Sequence, residues 1–276
     1  MEKRDEKSMI KTKISGETEV EEGRYVYCIV NRAAKRSLGN MGIAKAEVYT
    51  VLYEDIAAVV HVCQSQPYQS EDADKVTEWI LSHNDVIDEA TGHFGTVIPF
   101  SFDTIVRGGD DTVKDWLRKN YEKFKNELER LSQRAEYVVQ IFSDEDKLVE
   151  RILAEDQALR ELKERINRMP ERAGYLFRRK FELRLNDAFS STRARLTGEF
   201  ASQIKEHVEE MEIERKVPHL PEKYKDKRLI AAFSCLVHND NVEGLGRALG
   251  KINQGSYAVR FTGPWAPFSF VKLGEI

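Results

Sequence analysis

The apolar positions of the first hundred or so residues change their period along the chain. RYVYCIVN (24–31) is dense in aromatic and β-branched residues, and AEVYTVLYE (46–54) and IAAVVHVC (56–63) repeat that density on either side of Glu54-Asp55. The pattern predicts three strands, the last two joined by a tight turn. From Ser70 the spacing becomes three and four: Val76, Trp79 or Ile80, His83, Val86 or Ile87 and Ala90 mark one face of a helix. Ser70 or Asp72 starts it and Gly92 lies near its end. TVIPFSFDTIV (96–106) is extended again, with Pro99 confining it to an edge or a bulge. GGDD (108–111) then turns the chain into a second helix, whose face is Val113, Trp116 or Leu117, Tyr121, Phe124, Leu128 and Leu131.

The second half opens on a strand, EYVVQIF (136–142), and becomes helical. Ile152, Leu159 and Ile166 repeat at seven, with Leu148, Leu162 and Met169 in a second set, and Pro170 closes the run. Phe177, Phe181, Leu185, Phe189, Leu196, Phe200, Ile204 and Val208 stripe a further helix from about Ala173 to Met211. The two form an antiparallel helical hairpin. After a proline-marked linker (216–226), RLIAAFSCLV is a buried strand, NVEGLGRALGKI a short helix and SYAVRFTG another strand. The expected fold class is α+β in two domains. Residues 1–22 are a charged, disordered leader and 23–135 an N-terminal α+β domain. Residues 136–262 are a modified ferredoxin-like domain with an expanded helical hairpin, and 263–276 a tail that packs back on the N-terminal domain.

Composition narrows the function. Of 276 residues, 43 are Lys or Arg and 47 Asp or Glu, a net charge of -4, so no domain-wide basic field invites nucleic acid. No apolar run reaches the roughly 20 residues of a membrane span, and MEKRDEKSMIKTK carries no signal-peptide core. A cytoplasmic location is expected. Cys28, Cys63 and Cys235 are far apart in apolar stretches, the usage of reduced, buried thiols.

No catalytic, cofactor or metal site emerges from spacing. His61 and Cys63 lack a second ligand pair, and His83 and His93, even with Asp85 or Asp88 beside them, sit in no H-x-x-x-H arrangement. RGGDDT lacks the ending of a phosphate loop, VEGLGRALG has the wrong glycine spacing for a dinucleotide turn, and Ser190-Ser191 has no nucleophile elbow. FRRKFELR (177–184) interleaves with acids; Arg178 and Arg179 belong either to a solvated face or to a charged docking strip.

Three stretches together resemble the gas vesicle GvpL/GvpF family: GRYVYCIV (23–30), the block HNDVIDEATGHFGTVIPFSFDTIV with VKDWLRKNYEKFKNELERLSQRAEYVVQIF, and TGPWAPFSFV (262–271). The last is similar to the family's Gly-Pro-Trp-Pro-Pro-Tyr-Ser-Phe ending, with Ala266 for a proline and Phe268 for the tyrosine; SFDT (101–104) stands where the family tends to have Arg-Phe-Gly-Thr. The resemblance covers residues 22–142 and 172–276. It implies a non-enzymatic accessory protein of gas vesicle assembly, at the vesicle or in the cytoplasm. Its partners would be the hydrophobic shell protein GvpA and other accessory Gvp proteins, which it keeps from aggregating or nucleates into a vesicle. A minor structural component is a variant of the same reading. An enzyme with a small-molecule pocket between the domains, and a scaffold that self-associates through the hairpin (148–208), are the alternatives.

FTGPWAPFSF (261–270) is the sequence's strongest candidate for a site. Pro264 and Pro267 stiffen it and remove backbone donors, while Trp265, Phe268 and Phe270 offer contact area. Either these rings lock the tail onto the first domain, or they form a handle for a partner.

Overall fold

The computed structural model describes residues 21–31, 36–170, 174–214, 222–254, 256–274 and 276. The leader, apart from its last two residues, and the core of the 216–226 linker lie outside them.

Two sheets carry the fold. The first is built from β1 (Glu22–Asn31), β2 (Ser37–Gly39), β3 (Val48–Tyr53) and β4 (Ile56–Gln64); α1 (Ala73–Phe94) follows, then β5 (Val97–Pro99) and β6 (Ile105–Arg107). Its order is β2-β3-β4-β1-β5, with β6 also on β1, which therefore pairs β4 along one side and β5 and β6 along the other. Asp72 caps α1 by accepting from the backbone N–H groups of Asp74 and Lys75, and the helix runs to Phe94, two residues past the expected glycine.

A bulge between Val26 and Cys28 shifts the alternation of β1. Tyr25, Tyr27, Cys28 and Val30 consequently pack with Trp79, Val86, Ile87 and Ala90 of α1. Val26 and Ile29 belong to the opposite core, under α2 (Asp110–Lys119) and α3 (Tyr121–Leu131). The periodicity predicts one helix over 110–131. The chain breaks it at Asn120, whose side chain donates to the Trp116 carbonyl at 3.0 Å in competition with the backbone ladder.

The second half runs β7 (Arg134–Asp144), α4 (Glu145–Glu155), α5 (Gln157–Asn167), α6 (Tyr175–Ile204), β8 (Glu210–Ile213), β9 (Lys227–His238), α7 (Val242–Ile252) and β10 (Tyr257–Trp265). The sheet order is β10-β7-β9-β8, all antiparallel. This is the β-α-β-β-α-β ferredoxin-like arrangement, its first helix expanded to three. The first arm of the hairpin breaks at Asp156, which caps α5. The long helix stops at Ile204, short of Met211, and EMEI becomes the fourth strand; Val208 and Met211 still pack on the helical core from extended backbone. Helices cover one face of this sheet. On the core between the sheets, Leu236 of β9 joins Val26, Ile29, Phe124 and Leu128.

Candidate functional site

The segment after β10 lies along the seam between the two sheets. β10 carries a register shift between Thr262 and Trp265, so that Trp265 stands opposite Glu136 of β7. From there the side chains diverge. Ala266 (4% exposed) enters the core under α1 and Phe270 (2%) the core under α2 and α3, whereas Trp265 (47%) and Phe268 (42%) face solvent. Half of the aromatic tail is therefore an anchor and half is open surface.

Polar contacts hold the anchor. Glu136 accepts from the backbone N–H and the hydroxyl of Ser269, at 2.9 and 2.7 Å. The Phe270 carbonyl accepts from Arg130, which also forks onto Glu127 (2.7 and 2.8 Å) and reaches Glu210 (2.6 Å). Glu127 accepts in turn from the Lys272 backbone N–H at 2.6 Å, and the Lys272 ammonium meets Glu210. Burial opposes ionisation of Glu127, but Arg130 and the Lys272 N–H outweigh it and hold the carboxyl below its ordinary value.

Around the open half runs a groove. Asn84 and Asp88 of α1, Glu136 and Val138 of β7, Trp265 and Phe268 line one hollow of about 310 Å³. A second hollow shares Asp88 and Trp265 and adds Thr91, Thr96, Arg134 and Pro264; a third continues from Thr91 and Arg134 toward Asn31 and Asn239. The walls come from both halves of the chain. Pro264 and Pro267 thus border the groove; Arg178 and Arg179 do not line it, sitting in the first turns of α6, where Arg179 faces Glu182 at 3.6 Å. Sequence spacing missed Asn84, Glu136 and Arg134 as groove residues; their assembly depends on a contact between strands and a helix distant in the chain.

The histidines take other roles. His83 Nε2 donates to the Phe100 carbonyl (3.1 Å), which leaves Nδ1 to accept from the Tyr25 hydroxyl (2.9 Å). His61 bridges Tyr27 (2.7 Å) and Tyr68 (2.9 Å) through its two nitrogens. Both imidazoles are buried, and desolvation pushes each down to about 4. His93 is at the far end of α1, 2.9 Å from Glu89. Among the described residues no group of three or more His, Cys, Asp or Glu side chains is placed to hold a metal. Cys28 and Cys235 are buried and Cys63 half-buried; burial raises all three thiols, Cys235 to about 12.

The family model described as gas vesicle synthesis protein GvpL/GvpF matches residues 23–272, taking in both sheets and the tail as far as Lys272. The chain belongs to the GvpL/GvpF family. Gas vesicle protein L1 of Halobacterium salinarum is 31% identical over 264 residues, covering 94% of each chain. Gas vesicle protein L of Haloferax mediterranei is 28% identical, covering 92% of this chain and 89% of its own. In fold, the chain is similar to the crystal structure of GvpF from an Anabaena species, with a TM-score of 0.72 at 16% identity over 92% of this chain and 100% of that one. GvpF from Microcystis aeruginosa gives 0.63 at 14% identity, over 91% and 99%. GvpL/GvpF proteins are gas vesicle accessory proteins and not a known enzyme family. Among the described residues no helix is long and apolar enough to cross a membrane.

Proposed function

We propose that this chain is a cytoplasmic assembly factor of the gas vesicle that binds the shell protein GvpA through the seam groove, keeping its apolar surface from pairing indiscriminately until it is built into the wall. The observation that carries this reading is the split of one short segment: Ala266 and Phe270 are buried while Trp265, next to Ala266, and Phe268, midway between the two, stay open beside a groove. Apolar rings held out on an anchored backbone cost little entropy to dock, and exposed apolar patches mark interfaces. The edge strand β10 supports the same reading, since its exposed Phe261 and Trp265 flank backbone groups that a shell-protein strand can pair. In this reading residues 23–135 and 136–262 act as two domains with the 263–276 tail as their latch. Other accessory Gvp proteins bind elsewhere on the surface, where Arg178 and Arg179 offer a basic strip.

Co-expression with GvpA tests it, scoring how much shell protein stays soluble and co-purifies. Wild type retains GvpA and a folded Trp265→Ala/Phe268→Ala variant loses it; equal retention by both moves the site away from the groove.

A further inference from the structure

The groove has a charge signature that its apolar rings do not explain. Over α1 the sequence places Asp74, Glu78, Asp85, Asp88 and Glu89 against Lys75 alone. Glu89 contacts His93 at 2.9 Å and Lys75 lies over the Trp79 ring, 5.2 Å from its centre. Asp85 and Asp88 have no ion pair or hydrogen bond among the described residues, although they lie one helical turn apart and Asp88 borders both hollows that Trp265 lines. Partial burial, then the neighbouring Asp85, raises the Asp88 carboxyl above its ordinary value. Among the described residues the one guanidinium on the groove wall, Arg134, is committed to Glu209 and to the Ser132 carbonyl.

An unmatched carboxylate beside an exposed indole, with a second carboxylate one helical turn away, is a recurrent way to receive a cation, which gains from the negative charge and from the ring face together. We propose that the end of the groove formed by Asp88, Trp265 and Phe268, with Asp85 one turn away on the same helix, receives an arginine or lysine of a partner protein, with a bulky aliphatic side chain of the same segment seated on Trp265 and Phe268. The occupant is thus a cationic, amphipathic segment, chosen by charge complementarity over an uncharged apolar strand. The inference rests on the partner-binding reading of the groove but concerns what the groove selects. Exposed pairs of this kind set encounter and register more than total affinity, and they weaken with salt.

The probe is a blocked synthetic helix with arginine and leucine one turn apart, compared with twins bearing citrulline or glutamate in place of arginine. The readout is the Trp265 indole N–H signal in the wild-type protein, assigned with Trp265→Phe. The expected result is that the arginine helix shifts this signal and that citrulline or glutamate weakens binding. An Asp85→Asn/Asp88→Asn variant with unchanged melting temperature should bind the arginine helix roughly 3- to 30-fold more weakly, in the range of one or two screened ion pairs. Equal binding of all three helices, no loss in the Asn variant, or no shift at Trp265 overturns the proposal. Co-expressed GvpA separates the two readings. Retention by wild type and the Asn variant alike, with loss in Trp265→Ala/Phe268→Ala, leaves the groove standing and overturns cation selection. Failure of wild type to retain GvpA while the arginine helix still binds overturns the shell-protein reading and leaves cation selection standing.

Discussion

Glu136 and Ser269 are 133 positions apart in sequence and share two hydrogen bonds, the serine backbone N–H and hydroxyl each donating to a different carboxylate oxygen. The pair fixes the direction in which the chain leaves β10 and thereby which rings turn inward. Ser269→Ala removes one donor from a buried carboxylate and is expected to cost about 0.5–1.5 kcal/mol. Glu136→Ala frees the backbone donor as well and should cost about 1–3 kcal/mol. Urea unfolding gives both values, and limited proteolysis should show earlier cleavage after residue 262 in the second variant.

Phe270 and Phe268 are the same residue type in one short turn with opposite surroundings. Phe270→Ala empties a slot in the core under α2 and α3 and should cost about 3–5 kcal/mol. Phe268→Ala should stay within about 1 kcal/mol in denaturant unfolding, because its ring lies at the surface, 42% exposed. Similar losses at both positions would place Phe268 in the core and remove it from the proposed binding surface.

Gly263 has φ +131°, a backbone conformation side chains rarely adopt, and a Cβ there would come within 2.7 Å of the Tyr137 ring and 2.8 Å of the Glu136 carbonyl. Gly263→Ala should therefore lower stability by about 1–3 kcal/mol. Because the strain falls between the anchored strand and Trp265, the indole fluorescence of the folded variant should shift as well.

Acid should weaken the fold through His61 and His83. Both are neutral in the folded protein and stay so down to about 4, while the unfolded chain takes up protons near the ordinary histidine value of about 6.5. Their contribution is complete above that value and is lost as pH falls toward 4, with a slope approaching about 1.4 kcal/mol per pH unit for each. Glu127, held below its ordinary value, adds loss of the same sign at lower pH. Chemical denaturation between neutral pH and pH about 4.5 should show this slope, and His83→Gln should flatten it.

Local grammar disclosed elements more readily than their ends. The α1 face of Val76 through Ala90 was legible because one side of the helix packs on β1, and Asp72 was a visible cap. The break at Asn120 was not, since Leu117, Tyr121 and Phe124 keep helical spacing across it. Val208 and Met211 likewise extend the stripe of α6 although the helix has ended, because a strand bordering the same core preserves apolar positions. In the tail, composition announced an apolar segment, but not that Ala266 and Phe270 would turn in while Trp265 and Phe268 turned out. That division is set by the register shift in β10 and by Glu136 and Arg130, partners 133 and 140 positions upstream, which no spacing rule reaches.

The reach of residues 257–270, which close the second sheet as β10 and then fill the core of the first with Phe270, bears on how the protein comes into being. On the ribosome, the N-terminal sheet emerges first, with an open slot where Phe270 belongs, and the ferredoxin-like sheet follows lacking its edge strand. Neither reaches its final packing before the same late stretch is delivered, so maturation is gated by the end of translation of that stretch. The groove around Trp265, made from both sheets and this segment, comes into existence only then, and on the proposed reading partner binding waits for residues 257–270.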